Sequence, residues 1–387
     1  MKILVYQWDI YPYDDIIQTL KKQGHQTDVL AFPISNHITD AAFETIFCQK
    51  IEKTAYDLVF SVNYYAVIAV ICEQHRLPYA SWTCDSPLLS LQHPSVHSAY
   101  NHIFLFDYKE YKNLLQRGVS QAYYLPLAGL RLNESFLVQD DTTYTYEISF
   151  VGNLYDRNRY DEMCYYLPEY LCGYMDAAIE AQKSVSGGNL LPQMLNDDIL
   201  ADLSQYTVVT NGTSSLSELR MHFATSVLSY KTAADIRTDA LNLLAQSYDT
   251  HLFTTSQGER LKQVTLHPAV SYHTDMPRVF HHSKINLNFT LPNIENGIPL
   301  RVFDILASGG FLLTDYRETL CREFENGTDL VIFDGFSDLV QKADYYLKHP
   351  EERIQIAKNG QKKVQQLHQY DIRLKKILHT IFPTINL

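Results

Sequence analysis

The chain has no CxxC pair, no excess of basic charge, no long apolar run and no GxGxxG motif. Each absence argues against a class of function. Its six cysteines, at positions 48, 72, 84, 164, 172 and 321, are scattered and mostly in apolar contexts. That spacing argues against a zinc site or a disulfide framework, and reduced, buried thiols are expected. A net charge of −12 over 387 residues argues against a nucleic-acid partner, whose phosphates demand clustered cations. It does not exclude one local phosphate pocket, which needs only a cation or two and some backbone amides. The longest apolar stretch, Tyr64–Cys72, falls far below the ~20 residues that span a bilayer. The start, MKILVYQWDIYPYDD, turns acidic too soon for a signal peptide, so a cytoplasmic protein with no transmembrane segment is expected.

What is present is a chain able to fold. Hydrophobic residues make up 46% and charged residues 20%, enough to bury cores in two domains or one large one. There are 28 tyrosines. Tyrosine can stack on sugars, but filling half-buried positions is the simpler reading. Over the first ~130 residues, apolar strand signals alternate with helical spacing. Strands are expected at 2–7, 28–32, 57–62, 78–83, 103–106 and 123–126. Helices are expected at 14–23, 41–53, 65–75 and 108–117, the first stopping at Gly24. Such alternation predicts a parallel sheet covered on both faces. Without GxGxxG after the first strand, a dinucleotide-binding domain is not supported.

A second α/β unit begins at YEISFVG, residues 146–152, and is interrupted by a helix-rich stretch at about 159–246. Strand signals return at 251–254, 264–266, 285–289, 311–314 and 330–333, with helices at 276–282, 300–308, 337–348 and from 351 to about 381. The expected architecture is therefore two doubly wound, Rossmann-like α/β domains facing a cleft. Residues 1–140 would form the first and residues 141–387 the second, with the helical stretch as an insertion. Ligands of such sheets bind beyond the carboxyl ends of the strands.

The most informative segment is IENGIPLRVFDILASGGFLLTD, residues 294–315. Asn296 and Gly297 signal a turn, and Pro299 suits the start of a helix that closes on Gly309 and Gly310. A helix N-terminus carries unpaired N–H groups and partial positive charge, so it can hold a phosphate. Arg301 and Asp304 lie three apart, on one face. The guanidinium can pair with a phosphate and the carboxylate with ribose hydroxyls; an ordinary Arg–Asp surface pair fits the spacing equally well.

This segment, preceded by MPRVFHHSKINLNFTLPN, resembles the C-terminal domain of the CgeB-like, spore-maturation glycosyltransferases, bacterial enzymes of the GT-B type. YDLVFSVNYY and LPYASWTCDSP resemble the DUF3880-type domain that precedes it. The resemblance covers about two thirds of the chain and omits the helical stretch. It implies a hexosyltransferase-like enzyme that needs no metal or other cofactor. A nucleotide-sugar donor, with a UDP-sugar as first candidate, would bind the C-terminal domain, and a glycan or protein acceptor the N-terminal one. Donor contacts would come from Asn296, Gly297, Ile298, Pro299, Leu300, Arg301 and Asp304, with Asp304 on the ribose and Arg301 on phosphate. Relatives often carry a Glu-x7-Glu pair here. This chain has Asn296 at the earlier position, beside Glu295, which puts a carboxylate next to the transferred sugar in question.

In FVGNLYDRNR, a strand ending at Gly152 would let a ligand approach the backbone, and Arg157 could neutralise a diphosphate. The resemblance favours Arg157 slightly over Arg159; a capped turn with solvated arginines is the plainer alternative. Asp85 follows a buried strand: in an inverting enzyme it is placed to take an acceptor hydroxyl's proton, in a retaining one to orient the acceptor, and as a plain structural residue it serves the turn before Pro87. With Asn296 it completes the catalytic candidates. His93 and His97 read as structural or exposed. Tyr272, beside His273, would by resemblance lie near the nucleotide base, while His281 and His282 suit local carbonyls. No His, Asp or Glu grouping has metal-ligand spacing. Two other functions fit the same pattern: a nucleotide-sugar epimerase or hydrolase, and a nucleotide-sugar-binding scaffold without catalysis. The helical insertion could shape the acceptor site or form a homodimer contact.

Overall fold

The computed structural model describes residues 1–8, 12–37, 39–132, 143–206 and 216–384. The chain forms two compact units. The first comprises Met1–Glu134, Gly297–Ala307 and Lys362–Leu387; the second comprises Ser135–Asn296 and Ser308–Gln361. The expected division at 140/141 lies outside the described residues. Two segments expected with the second domain, 297–307 and 362–387, pack with the first unit instead.

In the first unit, β1 (Lys2–Tyr6), β2 (Gln26–Leu30), β3 (Leu58–Val62), β4 (Tyr79–Trp82), β5 (Asn101–Leu105) and β6 (Ala122–Tyr124) form one parallel sheet. Its order is β2-β1-β3-β4-β5-β6. Because parallel crossovers are right-handed, this reversal beside β1 sends helices to both faces. The helices are α1 (Pro12–Lys22), α2 (Ala41–Lys53), α3 (Ala66–Gln74) and α4 (Tyr108–Gln116). Local chemistry sets their ends. Asp40 caps α2 through Phe43 N at 3.0 Å, and Asp107 caps α4 through Lys109 N at 2.9 Å. After α1, Gly24 takes φ +84°, the left-handed conformation that ends a helix cheaply in glycine. Strand β3 is buried throughout, while the edge strand β2 has no buried residue and is half-exposed.

In the second unit, β7 (Tyr146–Val151), β8 (Thr250–Thr254), β9 (Thr265–Pro268), β10 (Ser283–Asn288), β11 (Leu312–Asp315) and β12 (Val331–Phe333) form the other parallel sheet. Its order is β12-β11-β10-β7-β8-β9. Counted within the unit this is the dinucleotide-fold order, and the sequence direction reverses between β7 and β10. Between β7 and β8 lie α5 (Arg159–Met163), α6 (Glu169–Lys183), α7 (Leu191–Met194), α8 (Asp197–Ser204), α9 (Leu216–His222), the π-helical turn Phe223–Leu228 and α10 (Ser229–Leu244). Much of this insertion shares a core of its own, including Tyr160, Met175, Leu200 and Phe223, distinct from the sheet core around Ile148, Leu252, Ile285 and Leu313.

The remaining helices are α11 (Asp275–His281), α12 (Leu300–Ala307), α13 (Glu318–Glu323), α14 (Gly335–Lys348), α15 (Pro350–Leu367) and α16 (Tyr370–Ile381). Helix α12 belongs to the first unit, and there it meets Gly129 closely. A Cβ at Gly129 would lie 2.8 Å from Val364 Cγ1 and 3.0 Å from Ala307 Cβ, so only glycine fits without movement. Among the described residues, no helix is long and apolar enough to cross a membrane.

The thiols differ from expectation. Of the six free cysteines, Cys72 is buried, Cys321 is exposed and the other four are intermediate. Apolar neighbours in sequence do not bury a residue when the helix turns that face outward, as at Cys321 on α13.

Candidate functional site

In doubly wound sheets, ligands gather where the strand order reverses, beyond the carboxyl ends of the strands. In the first unit that point lies past β1 and β3. The residue after β3, Asn63, has φ +64°. Asparagine tolerates this left-handed conformation better than most side chains. The turn brings its amide to the corner after β4. Asn63 Oδ1 accepts from Cys84 N (2.9 Å) and Asp85 N (3.2 Å), and Nδ2 donates to Asp85 Oδ2 (2.7 Å). Three bonds from one neutral side chain therefore orient the exposed carboxylate of Asp85. Burial first, and the Asp85 charge second, push the adjacent Cys84 thiol well above its ordinary pKa.

The corner continues into a hydrogen-bonded chain. Ser86 Oγ lies 3.1 Å from Asp107 Oδ2 and 3.2 Å from Glu110 Oε2, and Glu110 Oε1 accepts from Leu88 N at 3.2 Å. A hydroxyl has one proton to donate, so two ionised carboxylates cannot both be satisfied by it. Asp107 already serves as an anionic helix cap, which leaves Glu110 as the protonated partner. Consistent with this, burial and the nearby Asp107 charge raise the Glu110 pKa to about 8. Asp107 also forms an isolated antiparallel bridge with Gly297, which ties the start of the 297–307 segment to this edge of the first unit.

Within that segment the candidates take unequal positions. Gly297 and Ile298 are buried, whereas Pro299, Leu300 and Arg301 are partly exposed at the start of α12. Asp304 is only 1% exposed. Its Oδ1 accepts from Leu130 N at 3.3 Å, and its Oδ2 lies 3.8 Å from Arg301 Nη1. The expected ribose ligand is therefore a buried carboxylate that holds residue 130. The i,i+3 pairing with Arg301 exists, but its acid faces inward rather than toward solvent. Beside it, burial first, then the charges of Asp15 and Asp304, hold the Tyr370 phenol well above its usual range.

In the second unit the reversal lies past β7 and β10. Gly152 follows β7, where an added Cβ would sit 2.9 Å from Phe150 Cζ. The loop beyond is heavily braced. Asn153 Oδ1 accepts from Tyr155 N (2.5 Å) and Ser256 Oγ (3.1 Å), and Asp156 Oδ2 accepts from Gln257 N (2.8 Å) and Gly258 N (2.9 Å). Asn158 caps α5. Arg157 lies in this braced loop with its side chain exposed.

Past β10, Asp315 Oδ1 accepts from both Thr290 N (3.0 Å) and Thr290 Oγ1 (2.9 Å). Buried Arg317 donates to the carbonyls of Ile294, Tyr316, Thr290 and Leu291 and pairs with Asp315 at 3.0 Å. The loop ends on Asn296, whose Nδ2 donates to Glu318 Oε2 and whose Oδ1 accepts from Thr319 N, both at 3.0 Å. That pairing accounts for an amide at 296. A carboxylate there could not donate to Glu318 and would repel it. Asn296 thus anchors the loop to α13.

Tyr272, expected to stack on a base, is 7% exposed and edge-on to His273 at 4.9 Å, so its ring is largely spent in packing. His93 Nδ1 is 2.8 Å from Ser95 Oγ, while His281 and His282 contact the carbonyls of Ser308 and Thr143. Among the described residues, no group of three or more His, Cys, Asp or Glu side chains is disposed to hold a metal ion. Asn63, Arg237 and Arg317 escaped the sequence reading. Only Asn63 left a local signal, an asparagine directly after a buried apolar strand.

Residues 233–379 match a family model described as "Glycosyl transferase-like", a span that contains β8 to β12 and α12. Anabaena Alr3699/HepE, solved in complex with UDP and glucose, aligns over 100% of both chains with TM-score 0.55 and 11% identity. Sucrose-phosphate synthase from Thermosynechococcus elongatus also aligns over 100% of both chains, with TM-score 0.53 and 12% identity. So does T4 phage BGT in complex with its UDP-glucose substrate, at TM-score 0.51 and 10% identity. The fold is that of the GT-B glycosyltransferases. The two parallel six-stranded sheets with surrounding helices are as the sequence reading anticipated. No curated protein sequence matches the chain.

Proposed function

We propose that the chain is a glycosyltransferase that moves a sugar from a nucleotide-sugar donor to a hydroxyl of a glycan or protein acceptor. The observation that carries this reading is where the glycosyl transferase-like match falls. Residues 233–379 include β10, one of the two strands at the reversal point of the second unit, the braced loop past it and the start of α12. A UDP-sugar is the first donor to test, since UDP and glucose occupy the Anabaena structure of the same fold. Within this reading the chain is a CgeB-like bacterial, cytoplasmic enzyme that works without a metal ion. Its N-terminal part, with the DUF3880-like motifs, serves the acceptor.

The side chains then divide the work. In the second unit Arg157 is the cation assigned to the donor diphosphate, since cations stabilise a leaving anion. Asp85, oriented by Asn63, takes the acceptor's proton as the acceptor oxygen bonds to the anomeric carbon. The bond from that carbon to the diphosphate breaks in the same step, its electron pair leaving with the nucleoside diphosphate. Asn296 and Asp304 act by holding loops, not by touching the sugar.

A thermal-shift screen of nucleotide sugars tests the donor, because a ligand that binds only the folded state raises its apparent stability. Release of nucleoside diphosphate that depends on added acceptor supports transfer. Donor binding without turnover under every acceptor would instead make the protein a scaffold, and a silent screen would remove the assignment.

A further inference from the structure

Helix α10 carries Arg237, a cation with no place in the proposed chemistry. The residue is only 7% exposed. Its Nη1 donates to the carbonyl of Asn153 at 2.6 Å and its Nη2 to the carbonyl of Phe289 at 2.7 Å. Phe289 is the first residue past β10, and Asn153 is the second past β7. One planar fork therefore joins the loops that leave the two strands on either side of the reversal point. The guanidinium carbon also lies 5.3 Å from the Phe150 ring centroid and 4.8 Å from that of Tyr155. The Phe150 and Phe289 rings meet edge to face at 5.4 Å. The arginine is thus fixed in plane by rings and in direction by two carbonyls.

Such a bridge does what no ladder bond can at this place. Parallel strands stop pairing at their carboxyl ends, so the loops beyond them are free to separate unless something spans them. A guanidinium offers donors in a rigid fork, whereas a lysine ammonium is a point charge that cannot keep the plane. The loop after β7 carries Gly152 and Arg157, and the loop after β10 runs to Asn296. Their spacing decides whether groups on both loops can reach one anion together.

We infer that Arg237 is a positioning residue for the donor diphosphate: by fastening Asn153 to Phe289 it sets the distance between the two loops that recognise it. This rests on the glycosyltransferase reading and deepens it. Arg237 acts on the ligand through the placement of the loops, not by contact.

The test uses the whole chain and uridine diphosphate as probe, with affinity measured by calorimetry for wild type, R237K and R237A. In R237K the charge stays but the fork is lost. Misplacing binding groups by about an ångström weakens their joint action by roughly tenfold to a hundredfold, so the R237K dissociation constant should rise within that range. The donor KM should rise with it while the acceptor KM stays constant, a split that general loosening of the fold would not produce. In folded R237A, methylguanidinium should restore affinity saturably, and methylammonium should not. If wild type binds uridine diphosphate and R237K binds it equally well, the inference is overturned and the glycosyltransferase reading stands. Should R237A fail to fold, R237K alone carries the decision. If wild type binds no nucleoside diphosphate at all, both fall together.

Discussion

The two units solve one problem with opposite chemistry. Each must order the irregular chain that leaves a parallel sheet where the strand order reverses. In the first unit a neutral amide, Asn63, does this by bonding two backbone N–H groups and one carboxylate. In the second, buried arginines do it by bonding carbonyls, Arg237 across two loops and Arg317 along one. The difference suits what each would face. An amide adds no charge of its own beside Asp85. A guanidinium offers only donors, as carbonyls left unpaired past the strand ends require.

The largest effect that would break this comparison is expected at Asn63. Asn63→Asp keeps size and tolerates the left-handed backbone, but replaces the donor facing Asp85 with a second carboxylate. General-base catalysis is worth about a hundredfold to ten-thousandfold, so transfer should slow by at least about a hundredfold. Affinity for uridine diphosphate should not change. Single-turnover transfer beside calorimetry measures both, and an unaltered rate would strip Asp85 of its role.

Asp304→Ala should rank next, and on stability rather than rate. It leaves the buried Leu130 N–H without its acceptor, a loss of about 1–3 kcal/mol in urea unfolding. A variant as stable as wild type but unable to bind donor would return Asp304 to the ribose.

The smallest effect concerns Glu110, whose pKa is raised to about 8 from an ordinary 4.5. The native state holds this proton where the unfolded chain has released it. Its contribution to stability is thus full below the unfolded pKa and is lost as pH rises through the folded value. Partial exposure discounts the size to on the order of 1–2 kcal/mol between pH 5 and 9. Glu110→Gln keeps a donor for Ser86 and should flatten this part of the pH profile of the melting temperature. An unchanged slope would show that Glu110 is ionised and that Ser86 bonds another way.

Much of the fold was legible because its causes are local. Helix α2 spans Ala41–Lys53, as its spacing predicts, with Asp40 capping the first turn. The strands fall within a few residues of the predicted runs, because a buried parallel strand must be a short apolar run between turn signals. The π-helical turn Phe223–Leu228 and the short helix α13 were not anticipated, since neither has a period long enough to read.

The sequence by itself determined two parallel α/β sheets, a helical insertion and the turn–helix–glycine order of residues 296–310, since periodicity, caps and breakers act over a few residues. It also put Arg301 and Asp304 on one helix face, since that follows from 3.6 residues per turn. Only the tertiary structure decided that Asp304 points inward to Leu130, that residues 297–307 pack with the first unit, and that Arg237 in AADIRTDALNLL spans two strand ends. Those outcomes depend on which distant carbonyls and amides are buried without a partner nearby. Burying such a group unbonded is costly, so the side chain that reaches it is fixed by the whole fold and leaves no mark on its neighbours in sequence.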